Sequence, residues 1–224
     1  MIVSRVAGVV VAFLIGTVLV GGPAQSAPTA CAVGNPLQAT AELFATDNTA
    51  TITDPDDPRL RNRLEVFELQ VDGIALVNVG LPVGSTLVSG VFWSDERQQA
   101  TYERSREFHF ACVDAADLHR IGDQVRTRFQ QESVLTFRPL LSTAPEVDAF
   151  TVEVAGVDVR RFRDALVADQ QAREHLVGGS VTESGSLILV ADIADIGLTQ
   201  RFITALGGTW NAATVRYGDR EFVG

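Results

Sequence analysis

Hydrophobic and polar positions change their spacing repeatedly along the chain. Segments in which apolar and polar residues alternate, typical of strands, follow segments in which apolar residues recur every three or four positions, typical of helices. The order is strand, helix, strand, strand, helix, strand, and it runs twice, with a linker at residues 142–146. Strands are predicted at residues 39–46, 86–93, 101–113 and 133–138, then at 149–154, 180–183, 186–191 and 214–217, with a short extra strand at 220–223.

Four helices are predicted from stripes of apolar residues. The first has a capping carboxylate at Asp57 and a proline at Pro58, and its stripe runs from Leu60 to Ile74. The stripes of the other three cover residues 118–129, 159–166 and 196–206, and Gly207-Gly208 ends the last of them.

The doubled order predicts the fold class α+β, with two tandem ferredoxin-like (βαββαβ) sandwiches after a signal peptide. We expect the first ferredoxin-like domain over residues 27–141 and the second over residues 147–224. The alternative is a two-layer α+β domain followed by an unrelated α/β unit.

Residues 1–26 have the pattern of a signal peptide. A short basic start precedes an uncharged apolar run over residues 6–20, and small residues then lead to Ser26, where we expect cleavage, with Ala27 as the second choice. The run is short for a membrane span, which needs about 20 residues. We therefore expect an exported, soluble protein, secreted or in the cell envelope, with no membrane attachment after cleavage. An uncleaved anchor and a lipid-anchored Cys31 are the alternatives.

Cys31 and Cys112 are the two cysteines of the chain. An even count in an exported protein is typical of a disulfide. In the expected sheet the third strand runs antiparallel beside the first, which brings the end of the third strand, at Cys112, near the start of the first. Bridged cysteines have Cα atoms roughly 4.4 to 6.8 Å apart, and this topology permits that separation. Two buried thiols are the alternative.

The charge balance narrows the range of partners. The formal net charge is -10, so we expect no nucleic-acid partner. All 18 basic residues are arginine, which excludes Schiff-base chemistry and a P-loop lysine. A chain without lysine also indicates a GC-rich genome and, with the signal peptide, a bacterial source.

Two short elements resemble a known family. Glu103-Arg104-Ser105 lies on a predicted strand, and Arg-Phe-Gln-Gln-Glu-Ser-Val-Leu at residues 128–135 lies at a helix-to-strand junction. Both are similar to elements of a family of small exported bacterial proteins known only as a domain of unknown function, whose opening strand also resembles residues 41–44. The resemblance covers residues 39–138 and implies no activity, because none is attached to the family.

Motifs that specify a reaction are missing from the sequence. It contains no Gly-x-Ser-x-Gly elbow, no His-Glu-x-x-His and no dinucleotide-binding Gly-x-Gly-x-x-Gly after a strand. We therefore predict no cofactor and no metal. His109 shares a strand face with Glu103, Ser105 and Glu107, but a metal site there would need ligands from elsewhere.

Tyr102, Arg104 and Arg106 form the most conspicuous cluster, on one face of the third strand. Two guanidinium groups on one face can bind a carboxylate or a phosphate, and Glu132 could serve as their partner or as a general base. Together with His109 these residues are the candidate ligand-binding set. The alternative is a structural ion-pair network.

The missing catalytic motifs favour a non-enzymatic binding module over an enzyme. Its partner would be an unidentified protein or a small anionic ligand. The alternative is an enzyme with a cavity between two ferredoxin-like sheets, oxygenase-like by fold analogy alone. A structural component of the cell envelope is a third hypothesis. A closed apolar pocket with Arg104, Tyr102 or His109 in its wall would favour the enzyme.

Overall fold

The computed structural model describes residues 40–224, and the predicted signal peptide and Cys31 lie outside the described residues. Within residues 40–224 there are eight strands: β1 (Ala41–Ala45), β2 (Leu81–Ser94), β3 (Gln99–Ala111), β4 (Val134–Pro139), β5 (Ala149–Ala155), β6 (Gly178–Thr182), β7 (Ser186–Asp192) and β8 (Val215–Val223). The α-helices of this part are α1 (Glu65–Val77), α2 (Ala115–Phe129), α3 (Val159–Ala168), α4 (Gln170–His175) and α5 (Ile196–Ala205). None of the described helices is long and apolar enough to cross a membrane.

The strands form one closed antiparallel barrel in the order β1-β3-β2-β6-β7-β5-β8-β4. The prediction of two tandem ferredoxin-like sandwiches is therefore wrong. Apart from α4, which was not predicted, the order of strands and α-helices along the chain is as expected. The four strands before the linker, like the four after it, lie next to one another. However, the two groups of strands join at both of their edges instead of forming separate sheets.

Two seams close the barrel. Residues 88–92 of β2 pair with residues 178–182 of β6, and residues 134–139 of β4 pair with residues 218–223 of β8. Free edge strands expose unpaired backbone groups to other chains, and closure removes them. Hydrophobic periodicity assigns each strand a face but carries no information about which distant strand covers its edge, so the sequence pattern could not distinguish one barrel from two sheets.

Helices cover the outside of the barrel and bury the apolar face of the strands. One core joins β1, β3 and β4 to α1 and α2, and Phe67, Phe108 and Ile121 are fully buried in it. The other joins β5, β6 and β7 to α3, α4 and α5 around Phe162 and Phe202, whose rings pack edge to face. Alternate residues of each strand consequently point away from the helices, into the barrel.

The first helix begins later than predicted. Asp57 caps only a 3₁₀ turn, Pro58–Arg61, and Leu64 adopts a left-handed conformation at φ 56° before α1 starts at Glu65. The stripe residues from Leu64 to Ile74 are nevertheless buried as expected.

The last strand is also longer than predicted. β8 continues from Val215 to Val223 through Gly218, so the two strands predicted at residues 214–217 and 220–223 form a single strand. It does so because Gly218 pairs with Pro139 in the β4–β8 seam.

The disulfide stays a prediction, since Cys31 is outside the described residues. Cys112 follows β3 directly and has a left-handed backbone conformation, with φ 65°. β1 and β3 are antiparallel neighbours, with Ala41 opposite Phe110, which is the strand arrangement on which the predicted bridge to Cys31 rests.

Gly218→Ala should destabilise the fold, because a Cβ there would lie 2.7 Å from Cζ of Phe137 and even closer to the carbonyl oxygen of Arg138. Overpacking of this kind costs about 1 to 3 kcal/mol of unfolding free energy, which urea denaturation measures. Gly73→Ala is the matched control, since a Cβ at this position of α1 has no described atom within 4 Å. The control should raise the unfolding free energy by up to about 1 kcal/mol. Equal stability of both variants would contradict the described seam.

Candidate functional site

The inner face of β3 supplies the main polar groups of the barrel interior. Glu103, Ser105, Glu107 and His109 share this face, as the alternation in the sequence predicted. The residues between them, including Phe108, pack against the helices. The polar groups of β3 that could form a site therefore face the barrel interior.

A cavity of about 290 Å³ opens at one end of the barrel, where β1 and β8 end and β4 and β6 begin. Its wall is mostly apolar, with Phe44, Phe92, Leu135, Ile188, Val190 and Phe222. The small residues 178–180 of β6 line it as well, and the ring of Phe92 packs directly over Gly178, where a Cβ would overlap it. Its volume is close to the lower end of the range of small-molecule pockets, about 300 Å³.

Glu103 is the carboxyl group in this wall. Burial raises the pKa of Glu103, and a side-chain hydrogen bond with Ser105 opposes this increase. Ser105, Ser133 and Ser180 add hydroxyl groups to the wall, and Gln131 adds an amide. The cavity thus combines an apolar body with a small number of polar groups.

A second polar cluster lies further along the same face of β3. Glu42 of β1 is directly opposite His109, and Glu107 precedes His109 by two residues. One ligand atom from each of these three side chains lies within 4.8 Å of the others, and Nε2 of His109 is 3.8 Å from Oε2 of Glu107. Strand pairing alone brings the three groups together, because opposite and alternate positions share one face of a sheet.

Arg216 reaches this cluster from β8. Its guanidinium donates to Oε1 of Glu42 and lies 3.6 Å from Glu153 of β5. Glu42 is completely buried, whereas Glu153 is exposed. Thr151 lies opposite Arg216 in the β5–β8 ladder. Within residues 40–224, two buried oxygens here have no hydrogen-bond partner: Oε2 of Glu42 and the hydroxyl of Thr151.

Burial dominates the protonation equilibria of the cluster. It raises the pKa of Glu42 to about 7, although Arg216 lowers it, and raises the pKa of Glu107 to about 8, with a further increase from the negative charge of Glu42. Burial, followed by the charge of Arg216, lowers the pKa of His109. Near neutral pH Glu107 is therefore mostly protonated, Glu42 is close to the midpoint of its titration, and the imidazole is neutral.

The structure places Arg104 on the outer face of β3, away from the cavity. Its guanidinium donates to the backbone oxygen of Asn62 at 3.0 Å, to Ser89 at 2.9 Å and to Glu183 at 2.9 Å. The side chain is buried by these contacts. Arg104 thus links β3 to β2, to the segment before α1 and to the β6–β7 turn.

Arg106 lies on the same outer face of β3, two residues after Arg104. It donates to Ser85 and to the backbone oxygen of Arg63, and its guanidinium lies 3.0 Å from a carboxylate oxygen of Glu68 on α1. Both arginines are therefore engaged in an ion-pair network between the sheet and its helical side.

Of the remaining predicted site residues, Tyr102 and Glu132 both line a second pocket of about 260 Å³. Tyr102 lies on the outer face, where its backbone N–H donates to Ile52 at 2.8 Å and its side chain contacts Arg163. Glu132 is exposed in the connection between α2 and β4. Only His109 of the candidate ligand-binding set, as far as residues 40–224 show, points into the barrel.

Sequence reasoning missed Glu42, Thr151 and Arg216. The alternating pattern places Glu42 within a strand and gives it no further role, yet a charged residue between alanine and leucine is the signal that could have identified it. Thr151 and Arg216 are more than 100 residues from Glu42 along the chain, and only the register across the barrel brings them close.

Comparison with known proteins assigns no function to the chain. No protein-family model and no curated protein matches the chain. Among solved structures, it is similar to a crystal structure of a candidate monooxygenase from Lactobacillus acidophilus NCFM, with 12% identity and a TM-score of 0.25, over 82% of this chain and 94% of that one. A likeness at this TM-score carries no argument about fold or activity. The family resemblance of residues 39–138 stays a prediction.

Protein stability should fall as the pH rises through the range in which Glu42 and Glu107 titrate. Both folded-state pKa values lie above the ordinary value of 4.5, so the protonated forms favour folding. This stabilisation is complete below about pH 4.5 and is lost as the pH passes about 7 and 8. A tenfold difference in proton affinity between the folded and unfolded states corresponds to about 1.4 kcal/mol, or roughly 3 to 6 °C in Tm for a domain of this size.

The measurement is Tm by calorimetry in chelator between about pH 5 and pH 9. Glu107→Gln keeps the shape but cannot ionise, so its Tm should decline less over this range than that of the unmodified protein. Glu132→Gln removes an exposed carboxyl and should leave the slope unchanged. An identical slope in all three proteins would show that Glu107 does not titrate as described.

Proposed function

We propose that this chain is an exported binding protein that holds a small, mostly apolar molecule inside its barrel. The observation that carries the proposal is the cavity of about 290 Å³, enclosed by the strands and lined by apolar side chains and the single acidic residue Glu103. Small-molecule sites combine an apolar wall with a few polar groups that fix orientation.

Export is the part of the proposal that rests on the sequence. Residues 1–26 have the order of basic start, apolar run and small residues that a signal peptidase recognises. The acidic net charge of -10 is consistent with a soluble protein that avoids nucleic acids and anionic membrane surfaces.

The cavity wall indicates the chemistry of the ligand. Glu103 can accept hydrogen bonds from a hydroxyl or an amine, and in its ionised form it attracts a cation. Arg104 and Arg106, which predicted a small anionic ligand, are engaged with protein groups on the opposite face of β3. We therefore favour a neutral or cationic molecule with an apolar body, such as an aromatic amine or alcohol.

An enzyme remains the second candidate function because of one observation. Glu103 lies in the cavity wall with a raised pKa, and carboxyl groups of this kind act as general acids or bases. Mass spectrometry of a bound probe after incubation distinguishes the two functions, since a binding protein returns its ligand unchanged.

Blocking the cavity mouth should abolish ligand binding. Ser133 is exposed at the rim, so Ser133→Trp should cover the opening without disturbing the core. The assay is ligand-observed NMR with a panel of small aromatic amines, the corresponding alcohols and the corresponding carboxylates. Ser184→Trp is the matched control, because Ser184 is an exposed serine in the β6–β7 turn, away from the cavity.

Binding should follow the polarity of the wall. We expect amines and alcohols to bind in preference to carboxylates, and Glu103→Gln to weaken amine binding about tenfold or more, since hydrogen bonds to charged groups contribute about 1.5 to 3 kcal/mol. Unchanged binding in Ser133→Trp would place the ligand elsewhere on the protein. A preference for carboxylates would refute the role given to Glu103.

A further inference from the structure

Three potential metal ligands converge in the barrel interior from two neighbouring strands. Glu107 and His109 are alternate residues of β3, and Glu42 faces His109 from β1. Their ligand atoms lie within 4.8 Å of one another. Because the backbones belong to a paired antiparallel ladder, the positions of the three groups are fixed before any ion binds.

The spacing is close to that of a coordination sphere. Ligand atoms about 2.1 Å from a tetrahedral ion are roughly 3.4 Å from one another. Nε2 of His109 and Oε2 of Glu107 are 3.8 Å apart. Side-chain rotations that move the atoms by about 1 Å or less therefore suffice to bring all three onto one ion.

A second observation points independently to a ligand at this place. Oε2 of Glu42 and the hydroxyl of Thr151 are buried and, among the described residues, have no hydrogen-bond partner. Buried polar atoms are nearly always satisfied by protein, water or an ion. Arg216 binds the other oxygen of Glu42, which orients this carboxylate and leaves Oε2 available.

The charges around the cluster suit a divalent cation. Glu42 and Glu107 are in the cluster, Glu153 approaches from β5, and Arg216 approaches from β8. When Glu42, Glu107 and the exposed Glu153 are ionised, three carboxylates and the guanidinium of Arg216 leave a net charge of -2 around the cluster. A divalent ion would neutralise it.

The site is also within reach of solvent. The His109 side chain is 26% exposed, whereas the Glu107 side chain is 5% exposed. An ion can therefore enter past His109 and keep water as a further ligand.

We propose that Glu42, Glu107 and His109 bind one divalent transition-metal ion of the first row, such as Zn²⁺, Mn²⁺ or Fe²⁺, inside the barrel. Imidazole suits these metals and carboxylates complete the set, while Ca²⁺ and Mg²⁺ prefer oxygen ligands alone. The sequence predicted no metal, because it identified no ligand from another strand beside His109 and Glu107. The proposed metal site does not depend on the ligand proposed for the cavity.

Metal binding is measured on chelator-treated full-length protein by equilibrium dialysis with Zn²⁺, followed by elemental analysis. We expect one equivalent of Zn²⁺ per chain. His109→Gln and Glu107→Gln should each weaken binding by at least about tenfold, because loss of even an indirect contact to a ligand costs 10- to 100-fold. His119→Gln and Glu132→Gln are matched controls at exposed positions and should bind like the unmodified protein.

A paramagnetic probe tests the site without relying on the folding of variants. The chain has three histidines, so addition of Co²⁺ should broaden one set of imidazole resonances, assigned to His109, and leave those of His119 and His175 sharp. Absence of stoichiometric binding, equal binding by His109→Gln and His119→Gln, or broadening of His119 or His175 in place of His109 would overturn the proposal. Loss of cavity binding in Ser133→Trp with retained Zn²⁺ would show that the two sites are separate.

Discussion

Closure of the sheet is the constraint on which the rest of the structure depends. The β2–β6 and β4–β8 seams join residues that are roughly ninety positions apart, and each ladder gives both partners an inner and an outer face. Without the seams the inner residues would line two open sheets. With them, Phe44, Phe92 and Leu135 surround a cavity, and Glu42 is removed completely from water.

The outer and inner faces of the barrel have different roles. The outer face packs apolar side chains against five helices of the described part and supplies hydrophobic stabilisation. The inner face contains Glu42, Glu107 and Arg216, whose desolvation opposes folding. A cluster of ionisable groups in this position is poorly explained by stability, because apolar side chains of similar size would serve stability at least as well. We therefore interpret the inner face as the functional one.

The sequence predicted local structure better than it predicted the site. Alternation along β3 correctly separated Glu103, Ser105, Glu107 and His109 from the arginines, since side-chain direction follows from strand geometry alone. It could not show which face would be enclosed, because that depends on the pairing of β2 with β6 and of β4 with β8. The arginines attracted attention as charged residues, although their partners are a loop carbonyl, a helix carboxylate and a turn carboxylate that only tertiary contacts identify. The left-handed Leu64 that delays α1 also has no sequence signal of its own.

Amide hydrogen exchange followed by NMR tests the closed barrel most directly. In a closed barrel, those amides of residues 88–92, 178–182, 134–138 and 218–223 that donate across the two seams exchange only with global unfolding, as slowly as those of the β1–β3 ladder. We expect the same opening free energy at both seams and within β1–β3. Rapid exchange at the seams beside strong protection of β1–β3 and β5–β7 would show two separate sheets, and would contradict the enclosed interior.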